Sequence, residues 1–187
     1  MRSIVPLFAL AFAASAPVVA AELVPVPQFR AVELRGGGSV ILRPAAQQRV
    51  TLLEGSTRFT RMRVDRDGKL RIDVCDGRCP RHYRLRVLVE GPRVPDVGIT
   101  GGGSISAANG FAAQQRLSAA VNGGGSIDLR NVAATNVSAA VNGGGSVSVR
   151  PRARLNAAIN GGGLVRYWGN PQVSSAVHGG GSVRPGG

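Results

Sequence analysis

LSAAVNGGGSIDLR, residues 117–130, returns as VSAAVNGGGSVSVR at 137–150, as LNAAINGGGLVRYW at 155–168 and as VSSAVHGGGSVRPG at 173–186. Period-2 alternation puts Leu117, Ala119 and Val121 on one face of an extended strand. The same slots hold Val137, Ala139 and Val141, then Leu155, Ala157 and Ile159. The middle slot is small in every copy (Ala119, Ala139, Ala157, Ser175), which implies a narrow interior. The glycine triplet that follows suits a sharp corner, because glycine takes positive-φ backbone without strain. After the corner a second alternating strand begins, with Ile127 and Leu129, Val147 and Val149, Val165 and Tyr167. Each unit reads strand, corner, strand, loop. It is too short to bury its own apolar face and has to stack on its neighbours. The sequence therefore predicts an all-β fold, a parallel β-solenoid (β-helix) with glycine-rich corners and like residues in vertical ladders.

Outward from this block, glycine triplets start at Gly36, Gly101, Gly123, Gly143, Gly161 and Gly179, with steps of 22, 20, 18 and 18 residues from Gly101 onward. Val32, Leu34, Gly36 to Gly38, Val40, Leu42 and Arg43 fill the same slots early in the chain. The pattern then lapses until Gly101. Residues 44–98 read as an excursion of antiparallel strands, Val50–Leu53, Arg61–Val64, Leu70–Val74 and Tyr83–Val89, with Asp67-Gly68 as a hairpin turn. Residues 99–187 are the tandem repeats, and 22–187 form a single domain.

Residues 1–21 have the layout of a secretory signal: Arg2, an apolar run from Ile4 to Ala14, and small residues around Ala20 and Ala21 for cleavage. No later stretch could span a membrane as a helix. The expected product is an exported bacterial protein, periplasmic, secreted or at the cell surface. Formal charge is +13, carried almost wholly by arginine, since Lys69 is the only lysine. Such a charge attracts acidic polymers or an anionic surface. Aromatic residues make up 4% and none is interleaved with arginine in the pattern of an RNA- or single-strand-binding surface.

Cys75 and Cys79 flank Asp76-Gly77-Arg78 at a hairpin tip. Export and the even count favour a disulfide between them; the rival is a metal site with His82, which lacks a fourth ligand. Two ladders emerge from stacking. Asn122, Asn142 and Asn160 line one corner, preceded by Thr100 and continued by His178, with amide pairing from copy to copy as their role. Arg43, Arg130 and Arg150, with Trp168 in the next register, line the outer end of the second strand. This row reads either as a solvated edge or as a contact line for an anion or a sugar face.

Signal segment, early strand repeat, β excursion and tandem corners together resemble the exported bacterial family called putative auto-transporter adhesin, head GIN domain. The stretches that carry the resemblance are Gly36 to Val40, Gly101 to Ile105, Gly123 to Ile127, Gly143 to Val147 and Gly179 to Val183, where the family has G-S-G-S/D-I corners. The resemblance covers the chain from about Gln28 onward and implies a right-handed β-helix-like fold and an exported location. It brings no catalytic site. Here the middle corner residue is glycine in every copy, and the Cys75–Cys79 hairpin is not part of the family pattern.

The sequence is compatible with three functions to unequal degrees. The leading one is a non-enzymatic structural or binding module of the cell envelope, adhesin-like, with acidic polysaccharide or envelope proteins as partners and no cofactor or metal. The alternative is a polysaccharide-active β-helix enzyme, which needs paired carboxylates, whereas the repeats hold one acid, Asp128. Calcium binding fails because that Asp is missing from the other copies. Pro185-Gly186-Gly187 makes a poor edge for strand addition, so a monomer is expected.

Overall fold

A computed structural model describes residues 21–75, 77 and 79–186. All but the last residue of the signal segment expected at 1–21 lies outside these residues, as do Asp76, Arg78 and Gly187. Alternating apolar residues give strands throughout, and no helix occurs among the described residues. The first strands are β1 (Glu22–Leu23), β2 (Ala31–Gly36), β3 (Ser39–Pro44), β4 (Arg49–Glu54) and β5 (Thr60–Val64). Next come β6 (Lys69–Val74), β7 (Arg86–Gly91), β8 (Asp96–Gly101), β9 (Ser104–Ala107) and β10 (Gln114–Gly123). The last are β11 (Ser126–Asn142), β12 (Ser146–Asn160), β13 (Leu164–Tyr167), β14 (Gln172–His178) and β15 (Ser182–Pro185).

These strands form one strongly curled, mostly parallel sheet. Along one side the order is β5-β6-β2-β8-β10-β11, continued by β12 and β14. Along the other it is β1-β4-β7-β3-β9-β11, continued by β12, β13 and β15. Register follows the repeat: Leu117 pairs with Val137, Val137 with Leu155, and Leu155 with Val173. Inward rows fill the space between the two sides. One runs Ile72, Leu34, Ile99, Val121, Val141, Ile159, all buried. The row beside it runs Leu70, Val32, Val97, Ala119, Ala139, Ala157, so its side chains shrink toward the C-terminal rungs. Across the interior lie Val87, Val40, Ile105, Ile127, Val147 and Val165.

The three corner glycines differ in what they require. Gly143 sits at φ +115, and a Cβ there would meet the carbonyl oxygen of Gly123 at 2.7 Å. Gly145 is buried, and a Cβ would meet Val121 Cγ1 at 2.5 Å and Gly125 O at 2.6 Å. Gly144 faces open space, with nothing within 4 Å. The outer two let one corner rest on the next, as in the bonds Ser146 N to Gly125 O and Gly143 N to Asn160 O.

The excursion expected at 44–98 is only partly one. β6 and β7 are a full rung of the parallel stack: Val32 pairs with Leu70, Leu34 with Ile72, Val40 with Val87 and Leu42 with Val89. The pattern went unseen because this rung has no glycine triplet. Residues 75–85 bridge its two strands instead, closed by the Cys75–Cys79 disulfide (Cα–Cα 5.6 Å). The antiparallel strands are β5, paired with β6, and β4, paired with β7 and β1. They cover the N-terminal end of the stack, as a repeat array requires of its terminal units. Strand β7 begins at Arg86 and not at Tyr83, whose hydroxyl is held by Ser56 and Thr60. The loops expected between repeats are also absent from the centre of the stack. β11 and β12 turn the bend as continuous strands, with register shifts between Asp128 and Ala133 and between Ala134 and Asn136, and with Val132 and Ala134 buried. Turning inside a strand by a bulge keeps most backbone groups paired.

Candidate functional site

Opposite the glycine corners, β11 and β12 bend through arginine-rich sequence, and the arginine row expected at Arg43, Arg130, Arg150 and Trp168 ends there. The structure brings only part of it together. Arg43 is separated from Arg130 by the β9 rung, where Ala108 follows the strand and donates its N–H to Leu42 O. Arg43 bonds Glu90 instead, Nη2 to Oε1 at 2.8 Å. Arg130 and Arg150 are not aligned either: Arg150 pairs with Ala133. The step from Gly123 to Gly143 is longer than the one from Gly143 to Gly161, and the surplus residues bulge at 130–132.

Arg130 grips Asp128 through Nε at 3.0 Å and Nη2 at 2.7 Å, and its Cζ lies 5.3 Å from the Trp168 ring centroid. The hydrogen bond and charge of Asp128 hold the Arg130 guanidinium above its ordinary pKa, slightly opposed by burial, so it stays charged at any working pH. Trp168 donates its backbone N–H to Val149 O and is half-buried, with Gly186 packed against its indole. Trp168 thus stacks on the guanidinium of Arg130.

A second basic row, not singled out from sequence, runs Arg116, Asn136, Arg154, Gln172 in strict register. Its signal was available, since each residue immediately precedes a repeat block. At its N-terminal end Arg116, with Arg30, Arg93, Asp96, Gln114 and Asn136, lines a cleft of about 790 Å³. Gln114 closes the cleft wall through Val94, accepting its N–H at 2.7 Å and donating to its carbonyl at 3.2 Å. No carboxylate follows Asp128 in the sequence, while Arg130, Arg150, Arg152, Arg154, Arg166 and Arg184 do. Among the described residues, the arginines from Arg150 onward make no ion pair, and they are exposed. Field lines from such a one-signed edge favour anions.

The corner row stands in register as Thr100, Asn122, Asn142, Asn160 and His178. Asn142 Nδ2 donates to Asn122 Oδ1 at 2.9 Å, and the hydroxyls of Ser146 and Ser126 are 3.0 Å apart. His178 is exposed at the last rung. Between this row and the Arg116 row the outer face is small, with Ser118, Ser138 and Ser174 beside Ala120, Ala140 and Ala176, and forms a shallow trough of about 370 Å³. The sulfurs of Cys75 and Cys79 are joined, which removes both thiolates from a metal set with exposed His82. Among the described residues no cluster of His, Cys, Asp or Glu has the makings of a metal site.

Residues 96–171 match the family described as putative auto-transporter adhesin, head GIN domain. No curated protein sequence matches the chain significantly. Among solved structures, a putative adhesin from Bacteroides fragilis NCTC 9343 is 16% identical, with 89% of this chain and 96% of that one covered and a TM-score of 0.56. That likeness extends the curled sheet beyond the matched segment. A putative adhesin from Parabacteroides merdae ATCC 43184 is 17% identical over 90% of this chain and 96% of its own, at a TM-score of 0.36.

Proposed function

We propose, from the match of residues 96–171 to the putative auto-transporter adhesin, head GIN domain family, that the chain is an exported, non-enzymatic, adhesin-like module of the bacterial envelope. Its ligand in this reading is an acidic polysaccharide lying along the bend edge. The observation that carries the reading is the run of exposed arginines there, Arg116, Arg150, Arg152 and Arg154, which make no ion pair among the described residues, together with the half-buried indole of Trp168. A repeating polymer suits a stack that presents like groups about one strand spacing, ~4.8 Å, apart. The curl is taken as a right-handed solenoid. Arg130 is assigned to orienting Trp168 and not to the ligand, because Asp128 already neutralises it. Arg43 is set aside because Glu90 neutralises it. An envelope protein is the second partner class. The enzyme alternative loses support because Asp128, the one acid of the tandem repeats, is tied to Arg130.

The test is binding of the mature chain to immobilised polygalacturonate and to neutral dextran over a salt series. Saturable binding to the acidic polymer alone is expected, weakening as salt screens the arginines. Arg150→Gln with Arg154→Gln should abolish it, and Trp168→Ala should weaken it by about fivefold, the worth of one cation–π or sugar-stacking contact of ~1 kcal/mol. No binding at low salt, or unchanged binding by the double variant, would refute the assignment and leave a protein partner as the reading to pursue.

A further inference from the structure

The two ends of the stack are unlike. At the N-terminal end, β5 and β4 with β1 cover the last parallel rung by antiparallel pairing. At the other end β14 pairs only with β12, and all seven of its residues are exposed. Val173 and Val177 occupy slots that are buried one rung earlier, as Leu155 at 0% and Ile159 at 2%, yet they are 37% and 39% exposed. The inward row of the core therefore ends uncovered. Edge strands in stable folds are defended by charge, proline or a bulge. β15 has Arg184 and Pro185; β14 has none of these.

We propose that two copies of the chain join through β14, strand against strand and antiparallel, about a two-fold axis through Ser175. The strand can pair with itself: Val173-Ser174-Ser175-Ala176-Val177 has the same apolar and small pattern in both directions, as the matching slots of the other repeats do, but here the edge is exposed and uncharged. Centring on Ser175 sets Val173 against Val177 of the second copy and Ser174 against Ala176. Period-2 geometry then places both Val pairs on the inward face, where they close the end of the core. A two-fold interface uses the same patch twice and closes, so it yields a dimer and not a filament. The expectation of a monomer came from Pro185, and it applies to β15 alone. β14 itself carries no formal charge, but the residues beyond Asp128 are all basic or neutral, so the two ends repel at long range. Salt screens that repulsion, and the dimer strengthens as salt rises, opposite to the polysaccharide binding above.

Residues facing each other in an antiparallel pair have Cα atoms about 4.5–5.5 Å apart, within the ~4.4–6.8 Å a disulfide spans. Ser175→Cys should thus give a cross-linked dimer on mild oxidation. Val177→Cys alone should not, because its two copies stand roughly 14 Å apart; mixed with Val173→Cys it should. Mass analysis of the product under non-reducing conditions separates these links from Cys75–Cys79. Light scattering on the unmodified chain should show dimer rising with concentration and with salt. Val177→Arg should stay monomeric with the parent's circular dichroism, since the side chain it replaces is exposed. A chain that is monomeric at every concentration and salt, or a Ser175→Cys cross-link no greater than that of Val177→Cys, overturns the proposal.

Discussion

Substituting alanine at each position of one corner, Gly143, Gly144 and Gly145, should give three different results from three adjacent glycines. At Gly143 two terms add. Its φ of +115 strains any L side chain, at about 1–3 kcal/mol. A Cβ there would also stand 2.7 Å from Gly123 O, a backbone atom locked in the neighbouring corner, and relief by backbone shift costs about 1–3 kcal/mol. Gly143→Ala should lose roughly 2–6 kcal/mol in all. Gly145→Ala carries only the second term, since its φ is not in the left-handed region. It meets Val121 Cγ1 at 2.5 Å and Gly125 O at 2.6 Å, and should lose about 1–3 kcal/mol. Gly144→Ala meets nothing within 4 Å and needs no left-handed backbone. It should be neutral or gain about 0.4–1 kcal/mol by restricting the unfolded chain. Gly144→Ser should be tolerated likewise, and Ser is what the resembled family carries there. The assay is urea unfolding followed by circular dichroism, reading the midpoint at constant slope. With slopes of about 1–3 kcal/mol/M, Gly143→Ala should move the midpoint down by on the order of 1 M or more. A Gly144→Ala variant as damaged as Gly143→Ala, or a Gly145→Ala variant with an unchanged midpoint, would refute the reasoning that corner-on-corner contact sets the glycine requirement.

Ala139→Leu enlarges the small, buried middle slot between Ala119 and Ala157 and should cost about 1–3 kcal/mol or more by overpacking. The same unfolding assay checks it, and Val97→Leu, one rung before Ala119, should cost less because that rung already holds a larger side chain. Tyr83→Phe removes a hydroxyl that accepts the Ser56 N–H at 2.9 Å, donates to Ser56 O at 3.0 Å and meets Thr60 Oγ1 at 2.7 Å. With Thr60 only 2% exposed, its loss should cost about 1–3 kcal/mol, seen as a lower midpoint without change in Cys75–Cys79 pairing.

How far the fold was legible follows from which signals are local. The tandem units could be read directly, because alternation and a glycine triplet at near-constant spacing leave only one way to bury the apolar slots. The β6–β7 rung was missed for the complementary reason. Its apolar slots, Leu70, Ile72, Val87 and Val89, are intact, but its corner is replaced by residues 75–85, so the marker was gone while the rung remained. The arginine row was legible as composition but not as geometry. The β9 rung puts Ala108 between Arg43 and Arg130, and unequal repeat lengths bulge the chain after Asp128.

The sequence by itself determined an all-β chain, its parallel rungs, the rows of Asn122, Asn142 and Asn160, and the one-signed charge beyond Asp128, because each of these depends on residue type and spacing alone. Only the tertiary structure decided that Trp168 stacks on Arg130, that Asp128 neutralises that arginine, that Arg116 and Arg154 share a row, and that β14 ends the stack uncovered. Those facts depend on how many residues each bend absorbs and on what lies one rung away, and no single repeat contains that information.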